Sequence, residues 1–233
     1  MFAEMAVVFL LDVDNTLIDN DRVRERLRSA TERILGPAPS AVFWETYEEV
    51  RNDLGFVDSL ETLERFEARH GDASLAALDR AILDFPYSEL VYPDTLRVLD
   101  ALARAGEPVI LSDGDPVFQP LKVGRSGIAA AVRGNVLVFT HKDERLGDVA
   151  RLFPADLYVA IDDKAAILAR IKMHWGDRVR TVHVLQGKYA DDPYEGPAPD
   201  AVIGAIGDLM MLVGTPDALR VFTEGASIQR PSA

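Results

Sequence analysis

The stretch Val7-Val8-Phe9-Leu10-Leu11-Asp12-Val13-Asp14-Asn15-Thr16-Leu17 decides the fold of this chain. Its continuous apolar start predicts a buried strand, and two carboxylates two residues apart follow that strand directly. Because unpaired buried charge is costly, such carboxylates are usually neutralised by a metal ion, a cation or a proton. The stretch therefore predicts a functional site at the end of the first strand of an α/β sheet.

Composition narrows the classes of function. The chain has 233 residues, 48% of them hydrophobic, and a formal net charge of −13. That charge argues against a nucleic-acid partner and against an anionic membrane surface, whereas a small phosphorylated substrate needs only a local positive site. The absence of cysteine excludes disulfides, thiolate catalysis and zinc–thiolate sites. No apolar run approaches the roughly 20 residues that span a bilayer, and no targeting segment is evident. Together with the absence of cysteine, this leads us to expect a cytoplasmic protein.

Two different patterns of apolar residues divide the chain into an insert and a core. Apolar residues at helical spacing, without a convincing strand, predict four helices between Asn20 and Pro93, and Ser40 is predicted to cap the second. From Pro93 onward short apolar strands alternate with helices, which predicts a parallel sheet covered on both faces. The predicted strands are 108–111, 136–139, 157–161, 181–185 and 201–203. We predict a core of residues 1–17 and 93–233 and a helical insert of residues 18–92.

The ends of the predicted strands carry a coherent set of polar residues. Asp12 and Asp14 follow the first strand, Ser112 ends the second, Lys142 follows the third, and Asp162-Asp163 ends the next. The carboxyl ends of parallel strands meet at one edge of a sheet, where sites gather. Carboxylate oxygens suit Mg²⁺, and a hydroxyl with an ammonium suits phosphate oxygens. The set indicates phosphoryl transfer with a carboxylate nucleophile and a nearby carboxyl as acid and base.

These residues resemble the motifs of the haloacid dehalogenase-like hydrolase superfamily. The first motif matches 12–16, the second Ser112, the third Lys142 and the fourth Asp162-Asp163, and the resemblance covers residues 5–20 and 93–225. It implies an α/β fold with a Rossmann-like parallel sheet and an inserted α-helical cap domain. Three positions depart from the family pattern: Ile167 stands where an acid is frequent, Asp143 where Pro is frequent, and Asp113 where Asn is common.

The resemblance also implies roles for individual residues. Asp12 would be the nucleophile, and Asp14 would be the general acid and base. Ser112 and Lys142 would bind the transferring phosphoryl group, and Thr16, which supports the turn of the first motif, is grouped with them. Mg²⁺ would be held by Asp12, the backbone carbonyl of Asp14, and Asp163, with Asp162 as the second choice within the acid pair.

Other polar and aromatic residues receive structural interpretations. Lys122 and Lys188 are rivals of Lys142 for the phosphate-binding role. The segment 186–189 follows a strand end, so it is a candidate border of the site, although a plain surface loop is the preferred interpretation. The aromatic residues Phe43, Trp44 and Tyr47 are predicted to pack the insert, with contact to substrate as the alternative. Of the four histidines, which show no metal-ligand spacing, only His141 is expected near the site.

The preferred hypothesis is a Mg²⁺-dependent phosphatase that acts on a small phosphorylated metabolite through an aspartyl-phosphate. A phosphomutase would use the same residues. A 2-haloacid dehalogenase would share the aspartate nucleophile but need neither an acid at position 14 nor a metal. A non-catalytic binding or regulatory protein on the same fold is a further alternative. The substrate and the oligomeric state are open at this point.

Overall fold

A six-stranded parallel sheet with the order β3-β2-β1-β4-β5-β6 forms the centre of the computed structural model, which describes residues 5–55, 57–71 and 75–213. The strands are β1 (Val7–Leu11), β2 (Glu107–Asp113), β3 (Val136–Phe139), β4 (Leu157–Asp162), β5 (Val179–Val184) and β6 (Ala201–Ile203). This confirms the predicted α/β class. The predicted core continues past residue 213, outside the described residues.

Strand β1 is apolar throughout because its side chains enter two different cores. Val7, Phe9 and Leu11 belong to the cluster on one face of the sheet. Val8 and Leu10 belong to the cluster on the other face, where Tyr158 stacks on the ring of Trp175. Alternate residues of a strand point to opposite faces, so a strand buried on both sides needs an unbroken apolar run.

Helices cover both faces of the sheet and bridge the strands. In the described part of the chain they are α1 (Asn20–Leu35), α2 (Pro37–Leu54), α3 (Ser59–His70), α4 (Leu75–Leu83), α5 (Thr95–Ala105), α6 (Phe118–Arg125), α7 (Ile128–Ala131), α8 (Leu146–Leu152), α9 (Ala165–Trp175) and α10 (Leu209–Val213). None of these helices has the length and apolar character that crossing a membrane requires.

Helices α1–α4 match the four helices predicted for the insert, with one correction. Ser40 does not cap α2: the helix begins at Pro37, because proline suits the first turn of a helix, where its missing N–H costs no hydrogen bond. Ser40 lies inside the helix, and its buried hydroxyl is 3.1 Å from the hydroxyl of Thr31. An apolar cluster of Phe43, Trp44, Leu63, Phe66 and Leu78 packs these helices together. The division into residues 1–17 with 93–233 and an insert of 18–92 stays a prediction.

The turn between β1 and α1 is fixed by the polar residues that follow the strand. Asn15 has a positive φ of 63°, a conformation that asparagine tolerates better than most residues. Its side-chain oxygen accepts hydrogen bonds from the backbone N–H groups of Asn20 and Asp21, at the start of α1. The first motif therefore also anchors the helix that leads away from the sheet.

Candidate active site

The ends of three neighbouring strands and one following turn bring five of the predicted residues to one edge of the sheet. Asp12 follows β1, and Ser112 lies near the end of β2. Asp162 ends β4 and Asp163 follows it, while Lys142 comes from the turn after β3. The Nζ atom of Lys142 is 2.5 Å from Oδ1 of Asp12 and 2.7 Å from Oδ2 of Asp162. Residues 130 positions apart in the chain thus form one buried ion cluster.

Because this cluster is buried, the pKa of each of its charged groups depends strongly on the other charges in it. Only 1% of Lys142 and 3% of Asp12 are exposed. Burial alone would lower the pKa of Lys142, but the carboxylates of Asp12 and Asp162 outweigh it and raise that pKa above its usual value. Burial raises the pKa of Asp12 to about 6, with Lys142 acting in the opposite direction. The lysine is therefore held as a cation beside the predicted nucleophile.

The three buried carboxyl groups of Asp12, Asp162 and Asp163 form a candidate metal site. Each can offer one oxygen such that the three atoms lie within 4.8 Å of one another. Oδ2 of Asp12 and both carboxyl oxygens of Asp163 are buried without a hydrogen-bond partner in the described chain. Burial and the nearby carboxylates raise the pKa of Asp163 to about 9. Buried, unpartnered carboxylate oxygens are a donor set that fits a hard divalent cation such as Mg²⁺.

The two acids of the fourth motif differ in how their oxygens are used. Oδ1 of Asp162 accepts a hydrogen bond from the backbone N–H of Lys164, and Oδ2 is paired with Lys142. Asp163 instead keeps both oxygens unpartnered, and its backbone carbonyl is 2.9 Å from Nε2 of the buried His183. Asp163 is therefore the acid of the pair with free ligand capacity, while Asp162 orients the turn and the lysine.

Asp14 sits in a different environment from Asp12, two residues away. Its Oδ1 forms an ion pair of 2.7 Å with Lys122 and lies 3.4 Å from the side-chain nitrogen of Gln119. Burial would raise the pKa of Asp14, but the charge and hydrogen bond of Lys122 hold it below its usual value. Lys122, considered from the sequence as a rival of Lys142, is therefore the partner of the second acid rather than of the first.

The predicted phosphate-binding hydroxyls are both fully buried. The hydroxyl of Ser112 lies 2.9 Å from Nε2 of Gln119, which donates to it, and it also contacts the backbone carbonyl of Asp113. The hydroxyl of Thr16 has no partner among the described residues. Gln119 thus connects Ser112 with Asp14. This link was not predicted, because no pattern in the sequence indicates that a glutamine of α6 faces a strand end.

A cavity of about 340 Å³ opens above these residues, between the sheet edge and the helices α1 and α2. Asp14, Asp113, Gln119, Lys122 and Lys164 line its floor, whereas Asp12, Ser112, Lys142, Asp162 and Asp163 do not line it and lie beneath that floor. The aromatic residues predicted to pack the insert do more than that, since Phe43, Trp44 and Tyr47 also line the cavity, and so does His141.

The segment 186–189 is not a plain surface loop, which corrects the interpretation from the sequence. The buried side-chain nitrogen of Gln186 donates to the backbone carbonyls of Asn15 and Thr16. Gly187, with a φ of 66°, approaches Asn15 so closely that a Cβ atom would lie 2.3 Å from its side chain. The segment is thus fixed against the first motif, and Lys188 and Tyr189 line the cavity.

Two further residues of the site follow predicted strand ends, but neither was given a functional role from the sequence. Lys164 lines the floor, and its neighbour Asp163 in the acid pair was the available clue. Asp115 accepts hydrogen bonds from the backbone N–H groups of Ser59, at the start of α3, and of Val117 and Phe118, at the start of α6. One carboxylate therefore joins the loop after β2 to a helix of the insert.

Comparison with known proteins identifies the family. No family model matches the sequence, and no curated protein matches it. The structure superposes with a TM-score of 0.85 on a crystal structure of a protein from Burkholderia xenovorans LB400 that is classed with the haloacid dehalogenase-like hydrolases. The two sequences are 41% identical over 93% of this chain and 99% of the other.

More distant similarities extend to proteins of known type and agree in fold. An L-2-haloacid dehalogenase from Xanthobacter autotrophicus, solved with chloropropionic acid covalently bound, is 22% identical, with a TM-score of 0.60 over 91% of this chain and all of the other. A haloacid dehalogenase-type hydrolase from Bacillus subtilis, solved with bound magnesium, is 14% identical, with a TM-score of 0.62 over the same shares. The resemblance to this superfamily is thereby confirmed, and this chain belongs to the haloacid dehalogenase-like hydrolases.

Proposed function

We propose that this protein is a Mg²⁺-dependent phosphatase that hydrolyses a small phosphorylated metabolite. The observation that carries the proposal is the convergence of Asp12, Ser112, Lys142 and Asp163 at one edge of the sheet, with a second carboxyl, Asp14, two residues from the first. Phosphoryl transfer needs a positioned nucleophile and cations around the equatorial oxygens, and this set offers both.

The unpartnered oxygens of Asp12 and Asp163 support these two residues as carboxylate ligands of the metal. Asp162 is the weaker candidate, because Lys142 and the N–H of Lys164 occupy its oxygens. The resemblance adds the backbone carbonyl of Asp14 as a further ligand. When bound, Mg²⁺ would neutralise the clustered carboxylates and the charge of the substrate phosphate.

In the proposed reaction a carboxylate oxygen of Asp12 forms a bond to phosphorus, and the bond from phosphorus to the ester oxygen breaks. Lys142 stabilises the phosphoryl oxygens, and the hydroxyl of Ser112, oriented by Gln119, donates a hydrogen bond to one of them. The substrate phosphate first takes Lys122 from Asp14, and Asp14, no longer paired, takes up a proton from solvent. Asp14 then gives this proton to the leaving oxygen, and takes one from the water that attacks the phosphorus of the aspartyl-phosphate. Inorganic phosphate leaves, and both carboxyl groups return to their starting states.

Access to Asp12 is part of this proposal, because Asp12 lies beneath the floor of the cavity. The phosphate would enter past Asp14 and Lys164, which line that floor. A substrate phosphate competes with the carboxylates for Lys142 and Lys122, so binding exchanges protein ion pairs for contacts with substrate. The carboxylates that lose a lysine in this exchange would be neutralised by the bound Mg²⁺ and, at Asp14, by a proton.

Hydrolysis of a 2-haloacid is the second candidate. The observation in its favour is the ion pair between Asp14 and Lys122, which occupies the carboxyl that a phosphatase would use as a proton donor. Displacement of a halide needs the nucleophile but no proton donor, so an occupied Asp14 would not obstruct it. The presence of an acid at position 14 and the carboxylate set for a metal favour the phosphatase.

A screen of phosphorylated metabolites with and without Mg²⁺ tests the first proposal. Phosphate release should require Mg²⁺ and fall roughly a thousandfold or more in Asp12→Asn, which loses the nucleophile. Asp100→Asn, which alters an exposed acid paired with Arg104 on α5, should keep full activity. Phosphate release that survives in folded Asp12→Asn would refute the mechanism. Chloride release from 2-chloropropionate without Mg²⁺ would select the second candidate.

A further inference from the structure

Four cationic side chains line the cavity near Tyr47 and Tyr189, and we name them the cationic wall: Arg24 from α1, Arg51 from α2, Lys188 from the loop after β5, and Lys164 from the adjoining floor. The Nζ atoms of Lys188 and Lys164 lie 4.7 and 5.4 Å from the centre of the Tyr189 ring. Elements from both the insert and the sheet thus contribute positive charge to one region of the cavity.

The side chains of Arg24, Arg51 and Lys188 form ion pairs with fewer carboxylates than their own number. Arg24 and Arg51 share a single acid, Glu48, at 2.5 and 3.3 Å. The ammonium of Lys188 makes no ion pair with a carboxylate in the described ranges of the chain. Although burial raises the pKa of Tyr189, the charges of Lys188, Lys164 and Arg51 lower it below its usual value. Arg24, Arg51 and Lys188 therefore carry more positive charge than their one ion-paired carboxylate neutralises, in a chain whose net charge is −13.

The position of the wall is fixed. The backbone N–H of Lys188 donates to Asp21, and the same segment is held against the first motif through Gln186 and Gly187. Arg51 is held by Glu48 on its own helix. Positively charged groups held in place within a concave site stabilise an anion without having to reorganise when it binds.

The geometry points to a substrate that carries a second anionic group, a carboxylate or a second phosphate, which the cationic wall binds while the first phosphate lies at the sheet edge. This inference rests on the proposed phosphatase function and adds the class of its substrate. Arg51 and Lys188 are the residues expected to distinguish such a substrate from a singly anionic ester. Arg24 is neutralised by Glu48, and Lys164 interacts with the buried carboxylates beneath the floor.

Three non-hydrolysable probes separate the contribution of the second anion. Propylphosphonate carries one anionic group, 3-phosphonopropionate replaces its methyl group by a carboxylate, and propane-1,3-bisphosphonate replaces it by a second phosphonate. Calorimetric titration with Mg²⁺ should show the wild-type protein binding at least one of the doubly anionic probes about tenfold or more tightly than propylphosphonate, as expected for hydrogen bonds to a charged group. The tighter of the two doubly anionic probes indicates whether the second group of the substrate is a carboxylate or a phosphate.

Arg51→Gln and Lys188→Gln should each reduce that preference, and leave the affinity for propylphosphonate within about twofold of the wild-type value. The matched control is Arg28→Gln, which removes an exposed arginine of α1 that stacks on Trp44 at 4.4 Å and does not line the cavity. It should keep the full preference.

The inference is overturned if folded wild-type protein binds all three probes equally or binds none of them. It is also overturned if the two variants weaken all probes alike. Phosphate release, measured separately, keeps the two proposals apart. If the protein releases phosphate but does not prefer the doubly anionic probes, only the inference of a second anionic group is refuted. If it prefers these probes but releases no phosphate from any ester, only the proposed phosphatase function is refuted.

Discussion

The strand ends below the cavity and the helices above it both carry charged residues, but they neutralise them in different ways. Below, Lys142 is 1% exposed and lies between two carboxylates that are almost as deeply buried. Above, the side chains of Arg24, Arg51 and Glu48 remain 22–37% exposed. Water can replace a lost partner in the helices but not at the strand ends. The proposed phosphoryl transfer would therefore depend on buried charges that need one another. The more exposed charges of the helices can exchange their partner for an anionic group of the proposed substrate.

Replacement of Lys142 by methionine should give the largest effect and tests this contrast most directly. The variant leaves Asp12 and Asp162 without their cation, and breaking a buried ion pair in this way costs about 3–5 kcal/mol of unfolding free energy. Urea unfolding measures the loss, and Arg51→Met, in the exposed network above, should lose no more than about 1 kcal/mol. Equal losses in the two variants would show that the strand-end charges are not buried as described.

The two acids of the fourth motif should respond in opposite directions, with a smaller effect. The pKa of Asp163 is raised from its usual 3.8 to about 9, so the folded metal-free protein binds more protons than the unfolded chain between these values. Stability should therefore fall as pH rises through this range. Asp163→Asn should remove that fall and stabilise the metal-free protein by roughly 1–3 kcal/mol at pH 8.

Asp162→Asn is the matched variant for this comparison, because it weakens the ion pair with Lys142 and should destabilise the protein at the same pH. Melting temperatures in the presence of a chelator, recorded from pH 5 to pH 9, distinguish the two. Added Mg²⁺ should raise the melting temperature of the wild-type protein and have a much smaller effect on Asp163→Asn. The same response to Mg²⁺ in both proteins would contradict the assignment of Asp163 as a ligand.

The link between the two regions should give the smallest effect. Asp115→Ala removes the acceptor for the N–H groups of Ser59, Val117 and Phe118, and loss of such a capping carboxylate costs about 1–2 kcal/mol. Hydrogen exchange should accelerate at the start of α3 and at the start of α6 together. Asp58→Ala, which removes the cap of α3 alone, should accelerate exchange only at α3. Unchanged exchange at Val117 in Asp115→Ala would refute the link.

The sheet and the motifs could be predicted because local physics marks them strongly. An apolar run such as 7–11 has few alternatives to a buried parallel strand, and glycine and proline mark the ends of most helices. Ser40 shows where this approach fails. A serine is a good cap, but Pro37 starts the helix earlier, and the hydroxyl bonds instead to Thr31 on the neighbouring helix.

The cavity could be predicted only in part, because its lining comes from segments far apart in the chain. Lys122 pairs with Asp14 across 108 positions, and Gln186 reaches Asn15 across 171. Neither contact leaves a periodic or compositional signal near either residue. The segment 186–189 looked like a surface loop since its polar residues are typical of loops, whereas its position is set by the close approach of Gly187 to the first motif.

The sequence by itself determined the α/β fold, the strand that carries the first motif, and the residues at the strand ends. Hydrophobic periodicity, and the position of polar residues directly after an apolar run, are local properties of the chain. The tertiary structure alone decided which charges pair. It placed Lys142 between Asp12 and Asp162, gave Lys122 to Asp14, left the oxygens of Asp163 unpartnered, and brought Arg51 and Lys188 to one wall. The physical reason is that the energy of a charge depends on burial and on its neighbours in space, which the order of residues does not specify.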